Sequence, residues 1–526
     1  MVKHIQLFLL ISIFPICLKA QQRSSNQSTR PNIIYILADD LGYGDVSSYN
    51  ENSRLNTKNI DQLAKEGVLF TDAHTSSSVC TPTRYGILTG RYNWRSNLKE
   101  SVLNGYSRAL IEPERLTVPK LLQTRGYETA FIGKWHLGWN WHFLGDTSGL
   151  NLRISKLTAF SDKPDVDFSL PVENGPNVHG FDYSYGISAS LNHAPFVYVE
   201  NGKSTSIPDR ITQHVEAKAI WDKGPIGSDF RHVEVLPKLT KKALEYIDEH
   251  ANKEKPFFLY LPLTAPHDPV VPTPEFMGKS NTNFYGDFVL QVDDLVGQIM
   301  ALLKKKGIQG ETMIIFTSDN GCAPLANYNE LASVGHNPSY IFRGTKADIY
   351  EGGHRVPFIV SWPNRIKQAF RTNEIICTTD LMATIADIVD FTLPDNAGED
   401  SYSFLPILMK KNLNRPLREA TVHHSINGSF AIRQGDWKLI LCPGSGGWSF
   451  PRTPEELKGL PPFQLYNLKI DPAEKQNIVN EHPKVVKELK SLLTKYIKNG
   501  RSTSGKPQKN DGPERWAQID WIDDNR

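Results

Sequence analysis

Two adjacent aspartates, Asp39 and Asp40, stand directly after a short apolar run, Asn32 to Leu37. That run is rich in β-branched residues and predicts a buried parallel strand. Neighbouring carboxylates repel each other, so the pair needs a cation or a strong set of donors. A helix N-cap would account for one aspartate and leave the other unexplained. The same arrangement recurs along the chain. Thr129 to Ile132 reads as a strand and leads to Lys134 and His136, a fixed positive charge and a group that exchanges a proton near neutral pH. Phe257 to Leu263 leads to His267, and Met313 to Ser318 leads to Asp319 and Asn320. Val68 to Phe70 leads into the loop of Cys80, and a helix is expected after Tyr85. A nucleophile near a helix N-terminus would have backbone N–H groups facing an anion. A lysine and a histidine two apart are, taken alone, most often a solvated surface. Their place after a buried strand, with the same polarity as the other sites, argues for chemistry, because ligand crevices in open α/β sheets lie at the carboxyl ends of the strands.

The elements that carry these groups alternate. Asn59 to Glu66, Leu116 to Arg125, Val233 to His250 and a stretch with Val289, Val292, Val296 and Ile299 on one face have helical spacing. Phe358 to Ser361 adds a strand. Strands alternating with helices predict an α/β class: one mostly parallel, doubly wound sheet flanked by helices. Residues 139–230 are the least regular part. After Asp395 to Leu405 the pattern changes to short strands and tight turns: Phe430 to Arg433 and Trp437 to Leu441 flank Gln434-Gly435-Asp436 as a hairpin, Leu465 to Leu468 is a strand, and Val485 to Ile497 is an amphipathic helix. This predicts a smaller C-terminal domain with a short antiparallel sheet and one helix. The expected division is 1–20 signal peptide, 21–30 disordered leader, 31–395 large domain, 396–500 C-terminal subdomain and 501–526 a loosely held polar tail.

The signal peptide is read from Lys3 and His4, the apolar run Ile5 to Ile16, and Ala20 as the residue before cleavage. It predicts a periplasmic or secreted protein. No later stretch reaches the length of a membrane span. Without Lys3 and Lys19 the chain keeps 57 basic and 57 acidic side chains, so bulk charge gives no support for a nucleic-acid partner, and an anionic substrate must be gripped locally. Cys80, Cys322, Cys377 and Cys442 are too few for a disulfide scaffold and read as buried thiols.

Several of these stretches carry sequence motifs. Cys80-Thr81-Pro82-Thr83-Arg84 with Leu88 to Arg91 resembles the sulfatase signature C-x-P-x-R followed by L-T-G-R. Gly133 to Gly138, the Ala265-Pro266-His267 turn, and Arg343-Gly-Thr-Lys346 with Glu351 to Pro357 resemble further elements of the same family, in the same order. Together with Asp39-Asp40 and Asp319-Asn320 the resemblance to formylglycine-dependent sulfatases of the alkaline-phosphatase-like superfamily spans roughly Pro31 to Asn477. Thr83 departs from the commoner serine but keeps the hydroxyl.

The resemblance implies that Cys80 is converted to formylglycine by a maturation enzyme and that its hydrate attacks sulfur. It implies that Asp39, Asp40, Asp319 and Asn320, with modified Cys80, hold one calcium ion; an all-oxygen donor set suits a hard ion. Arg84 would orient the hydrate, Lys134 and Lys346 would bind sulfate oxygens, His267 would protonate the leaving alcohol, and His136 would take the proton that lets sulfate leave. The implied substrate is a sulfated carbohydrate such as an algal polysaccharide or a glycosaminoglycan. Asn192 and His193, in a variable stretch, are candidates for substrate choice; a capped turn is the bland alternative. A phosphatase or phosphonate monoester hydrolase of the same superfamily is the nearest rival. A catalytically dead glycan-binding protein would lack one of the chemical groups, and none is missing here.

Overall fold

The computed structural model describes residues 30–145, 165–216, 219–411 and 413–522. The expected signal segment, and the leader up to residue 29, lie outside the described residues. The central strands are β1 (Asn32–Asp39), β2 (Gly67–Phe70), β3 (Glu128–Lys134), β4 (Tyr183–Ile187), β5 (Phe257–Pro266), β6 (Thr312–Ser318) and β7 (Phe358–Ser361). They lie in one ten-stranded sheet in the order β2-β7-β6-β1-β5-β3-β4. Short strands extend it, Phe370–Thr372 beside β2, and Val199–Glu200 with Lys203–Ser204 beyond β4. The centre, β6-β1-β5-β3-β4, is parallel, and β7 runs antiparallel between β6 and β2. β1 and β5 are almost continuously apolar because helices cover both faces of the sheet, leaving nearly every side chain buried.

The helices follow from periodicity and caps. In α1 (Lys58–Lys65) Ile60 and Leu63 turn inward. Helix α2 is Cys80–Thr89, and its C-cap Gly90 has φ 63°, the left-handed conformation that glycine adopts at no steric cost. Helix α3 is Val118–Thr124, and α4 is Val235–His250. The longest, α5 (Phe284–Lys305), is started by Asn283, whose side chain accepts from Gly286 N–H at 3.1 Å, and it buries Val289, Val292, Val296 and Ile299. Tyr183–Ile187 joins the main sheet within the stretch read from sequence as irregular. Its short Tyr-Ser-Tyr-Gly-Ile run carries too little apolar signal to be read alone.

Close packing at the head of β3 rests on glycine. Gly133 has φ 144°, and a Cβ there would stand 1.8 Å from the Pro262 carbonyl oxygen of β5. Gly133→Ala is therefore expected to cost about 2–4 kcal/mol of stability, read as a fall in melting temperature, because it adds both backbone strain and overlap with main chain.

The C-terminal part is a four-stranded antiparallel sheet, β8 (Thr421–His424), β9 (Phe430–Gln434), β10 (Trp437–Ile440) and β11 (Gln464–Asn467), in that order. Helix α6 (Leu381–Ile388) precedes it, and α7 (Pro483–Lys498) covers β9 and β10. Tyr92 and Trp94, just beyond α2, pack into this second core with Phe430 and Leu493. The segment after α7 is not the loose tail expected from its polar composition. Asp511 pairs with Arg91 at 2.5 Å, its carbonyl accepts from Lys99 Nζ at 2.9 Å, and Trp521 is buried. Four apolar side chains, Trp516, Ile519, Trp521 and Ile522, hold it against the second core. Among the described residues Cys80, Cys322, Cys377 and Cys442 are free and buried, as read from sequence.

Candidate active site

Adjacent parallel strands deliver their ends to one place. β5, β1 and β6 lie side by side, with Asp39 opposite Pro266 and Ala38 opposite Ser318. The residues that follow are therefore brought together: His267 after β5, Asp40 after β1, Asp319 and Asn320 after β6. Asp40 itself has φ 64°, a left-handed turn that reverses the chain immediately after the strand. β3, on the far side of β5, ends in Lys134 and is followed by His136. Cys80 enters as the first residue of α2, and Lys346 is placed by its own N–H, which donates to Cys322 O at 2.9 Å.

The side chains form one buried network. Lys134 Nζ donates to both oxygens of Asp39, at 2.9 and 2.7 Å. Lys346 Nζ lies 2.8 Å from Oδ2 and 2.7 Å from Oδ1 of Asp40. Arg84 donates through Nε (3.0 Å) and Nη2 (2.7 Å) to Asp319 Oδ2 and through Nη1 to the Lys134 carbonyl at 2.9 Å. Asn320 Nδ2 donates to Asp40 Oδ1 at 2.7 Å, while its Oδ1 is buried with no partner. His267 Nε2 lies 3.6 Å from Asp40 Oδ2, and its Nδ1 donates to the Asp268 carbonyl at 2.5 Å. His136 Nε2 donates to Leu103 O at 2.8 Å, which leaves the lone pair on Nδ1.

Electrostatics separates these groups. Burial would raise the Asp39 carboxyl, but Lys134, His267 and Arg84 together carry it well below the usual range. Burial and the Asp39 charge push Asp319 up to about 7, and burial also raises Asp40. Burial and then the neighbouring Lys134 hold His136 well below 6.5, so Nδ1 is an unprotonated base at neutral pH. Burial and then Lys346 push His267 down to about 4; an anion docking on the two lysines would reverse that push. Burial raises the Cys80 thiol, so an unmodified Cys80 would be a neutral thiol, not a thiolate.

The donor set fits a hard divalent cation. Asp39, Asp40, Asp319 and Asn320 supply only oxygen, the carboxylates crowd each other, and the orphaned Asn320 Oδ1 is an acceptor that lacks a positive partner. When all three are ionised, the carboxylates balance Lys134, Lys346 and Arg84 in charge, and a bound cation would favour that ionised state. A dication can therefore be added together with two negative charges on substrate and nucleophile without unbalancing the site.

The structure brings together all the residues singled out from sequence, including the candidates for substrate choice. Asn192 Nδ2 donates to Asp268 Oδ2 at 3.0 Å, beside His267. The His193 ring is 6.2 Å from that of His136, and its Nδ1 is 3.3 Å from Asp222 Oδ2. Sequence reasoning missed Asp222 and Asp268, and also Leu103 and Ser190, whose Oγ lies 3.5 Å from His136 Nδ1. Asp268 directly follows His267 and was there to be read; Asp222 lies in a segment with no local signal.

A buried cluster of strand-end carboxylates, paired lysines, two neutral imidazoles and a residue at a helix N-terminus defines a hydrolase that handles an anionic ester. Comparison places it. The sulfatase family model matches residues 31–391, and a model described as N-sulphoglucosamine sulphohydrolase, C-terminal, matches 345–499. The chain belongs to the sulfatase family and is an enzyme that hydrolyses sulfate esters. It is 35% identical to an N-acetylgalactosamine-6-O-sulfatase of Bacteroides thetaiotaomicron, over 90% of this chain and 94% of that one. It is 30% identical to arylsulfatase A of Homo sapiens, over 93% and 92%. A solved 6S-sulfatase structure from glycosaminoglycan metabolism in Bacteroides thetaiotaomicron superposes with a TM-score of 0.77 at 33% identity, covering 89% of this chain and 99% of that one.

Proposed function

We propose that this sulfatase removes the 6-O-sulfate of N-acetylgalactosamine in a sulfated glycan, using Cys80 converted to formylglycine and one calcium ion. The observation that carries the reading is the 35% identity across nine-tenths of both chains to an enzyme of that specificity, on a site with no chemical group missing. The N-terminal apolar segment fits export to the periplasm or beyond, with maturation of Cys80 by a formylglycine-generating or anaerobic maturing enzyme.

Residue 80, once converted, supplies a hydrated aldehyde as the nucleophile. Calcium, held by Asp39, Asp40, Asp319 and Asn320, would acidify that hydroxyl and offset sulfate charge. The protein's own groups do the rest. Lys134 and Lys346 sit where they can turn from their carboxylates to the sulfate oxygens, and so neutralise charge in the transition state. Arg84, locked on Asp319 and the Lys134 carbonyl, orients residue 80. His267, beside Lys346, would in its protonated form give that proton to the departing sugar oxygen. His136, with Nε2–H committed to Leu103 O, presents Nδ1 to receive the proton whose removal frees inorganic sulfate. Asn192 and the His193–Asp222 pair are proposed to contact the sugar ring.

The test is sulfate release from galactosamine 6-sulfate, galactosamine 4-sulfate, glucosamine 6-sulfate, an aryl sulfate and a phosphate monoester. Preference for the first by at least about tenfold is expected. Stripping the protein with a chelator should lower activity at least about 100-fold and lower the melting temperature, with calcium restoring both. Equal turnover of the phosphate monoester would favour the phosphatase rival. Full activity after chelation would remove the cation from the mechanism.

A further inference from the structure

A cavity of about 640 Å³, within the range of small-ligand sites, is joined to the reacting centre through a wall residue, Leu103. The Leu103 N–H donates to Thr81 Oγ1 at 3.2 Å, and its carbonyl accepts from His136 at 2.8 Å. One residue thus touches both the helix of the nucleophile and the proposed proton acceptor. Ala109 and Asn140, also in the wall, are joined by a 3.2 Å hydrogen bond, and Leu110 N–H donates to Leu137 O at 2.9 Å. The loop carrying His136 is therefore fixed to the segment carrying Arg108. Gly138 packs so closely that a Cβ there would lie 2.1 Å from the Arg108 carbonyl.

We infer that this cavity is a second saccharide subsite, in which Arg108 grips an anionic group, carboxylate or sulfate, on the sugar next to the one that loses its sulfate. The inference rests on the reading of the substrate as a glycan. Three charged residues line the cavity, and two are committed. Lys99 Nζ donates to Trp94 O at 2.7 Å and Asp511 O at 2.9 Å, and Glu100 Oε2 accepts from Gln518 Nε2 at 3.0 Å. Arg108 is exposed and makes no hydrogen bond or ion pair among the described residues. The sulfate to be cleaved has Lys134 and Lys346, so the Arg108 guanidinium answers to a different anion. Its planar fork matches a carboxylate or sulfate bidentately. Asn174, whose Oδ1 has no hydrogen-bond partner, also lines the cavity. The remaining wall, Pro513 to Gln518, comes from the C-terminal segment, whose folding back gives it a role in holding substrate.

The experiment compares wild-type enzyme with Arg108→Ala and Arg108→Lys on four 6-sulfated galactosaminides: a methyl glycoside, a disaccharide with a neutral neighbour, one with a uronic acid neighbour, and one with a sulfated neighbour. Wild type should favour an acidic over the neutral disaccharide by about tenfold, through KM, and lose most of that preference between roughly 50 and 500 mM salt. Which acidic disaccharide is favoured identifies the source of the anion. In Arg108→Ala the ratio should fall to about one, with Arg108→Lys between. Equal treatment of acidic and neutral disaccharides by wild type, or an equal loss on both in Arg108→Ala, would overturn the subsite. No turnover of the methyl glycoside or any disaccharide would instead overturn the assigned specificity. In that case calorimetric binding of the disaccharides to Cys80→Ala decides the subsite alone: tighter binding of an acidic one upholds it, and equal binding overturns it.

Discussion

Cys80→Ser, produced in a host without a maturation enzyme, is expected to lose at least about 10⁴-fold in sulfate release while keeping its melting temperature. The side chain sits at the first position of α2, buried, with the carboxylate–lysine network around it. Serine is close to cysteine in size and its hydroxyl can occupy the same place, so packing should survive. The chemistry should not. A single hydroxyl, once sulfated, has no second hydroxyl from which His136 could draw a proton, so one equivalent of alcohol leaves and the sulfate stays on residue 80. Unmodified cysteine fares no better, since burial keeps it a thiol. Mass spectrometry of residue 80 should therefore track activity across preparations, with the fraction converted setting the fraction active. A serine variant turning over within tenfold of the matured enzyme would sink the formylglycine mechanism.

Much of the site was legible in the sequence because Asp39, Asp40, Lys134, His267, Asp319 and Asn320 stand at or just beyond the ends of strands that announce themselves. Ile33 to Leu37 and Met313 to Phe316 are apolar runs that only a covered sheet can use, and the polar residues after them have one place to go. The sequence does not announce partners supplied by distant segments. Arg108 and Asp222 lie in stretches with no periodic pattern, and their meaning comes from the cavity and from His193 across the chain. The C-terminal segment was misread for a different reason. Its overall polarity hid four apolar residues, Trp516, Ile519, Trp521 and Ile522, whose spacing could have signalled a docked face. The strand Tyr183–Ile187 was hidden because a short strand between other strands needs little hydrophobic pattern of its own once β3 is there to pair with.

Lys438→Ala should be the most destabilising change at a distance from the reacting groups. Lys438, on β10, is fully buried. Its Nζ lies 3.0 Å from Glu351 Oε1, 2.8 Å from Glu474 Oε1 and 3.0 Å from His354 Nε2. Glu351 and His354 belong to the turn whose Gly353 carbonyl accepts from Gly321 N–H at 2.9 Å, directly behind Asn320. This lysine therefore joins the C-terminal sheet to the loop that backs the residues proposed to hold calcium. Removing it leaves two carboxylates buried together, at a cost of about 3–5 kcal/mol. The cost should depend on pH. Burial would raise Glu351, yet Lys438 and the surrounding histidines and arginine hold it well below its usual value; Glu474 is already pushed up to about 7, by burial first and then, against Lys438, by Glu351. In the wild type, ionised Glu351 contributes stability that is present above its unfolded pKa and is lost as pH falls. Without Lys438, Glu351 keeps Arg355, whose Nη1 lies 3.0 Å from its Oε2, while Glu474 loses its opposing charge and is pushed further above its unfolded value. Glu474 then favours the folded state least when ionised, so the deficit of the variant should widen as pH rises through about 7 towards 8. Melting temperatures of the two proteins across that range give the answer. A gap that stays constant would mean that Lys438 acts through packing alone, and no gap would mean that the carboxylates find other partners.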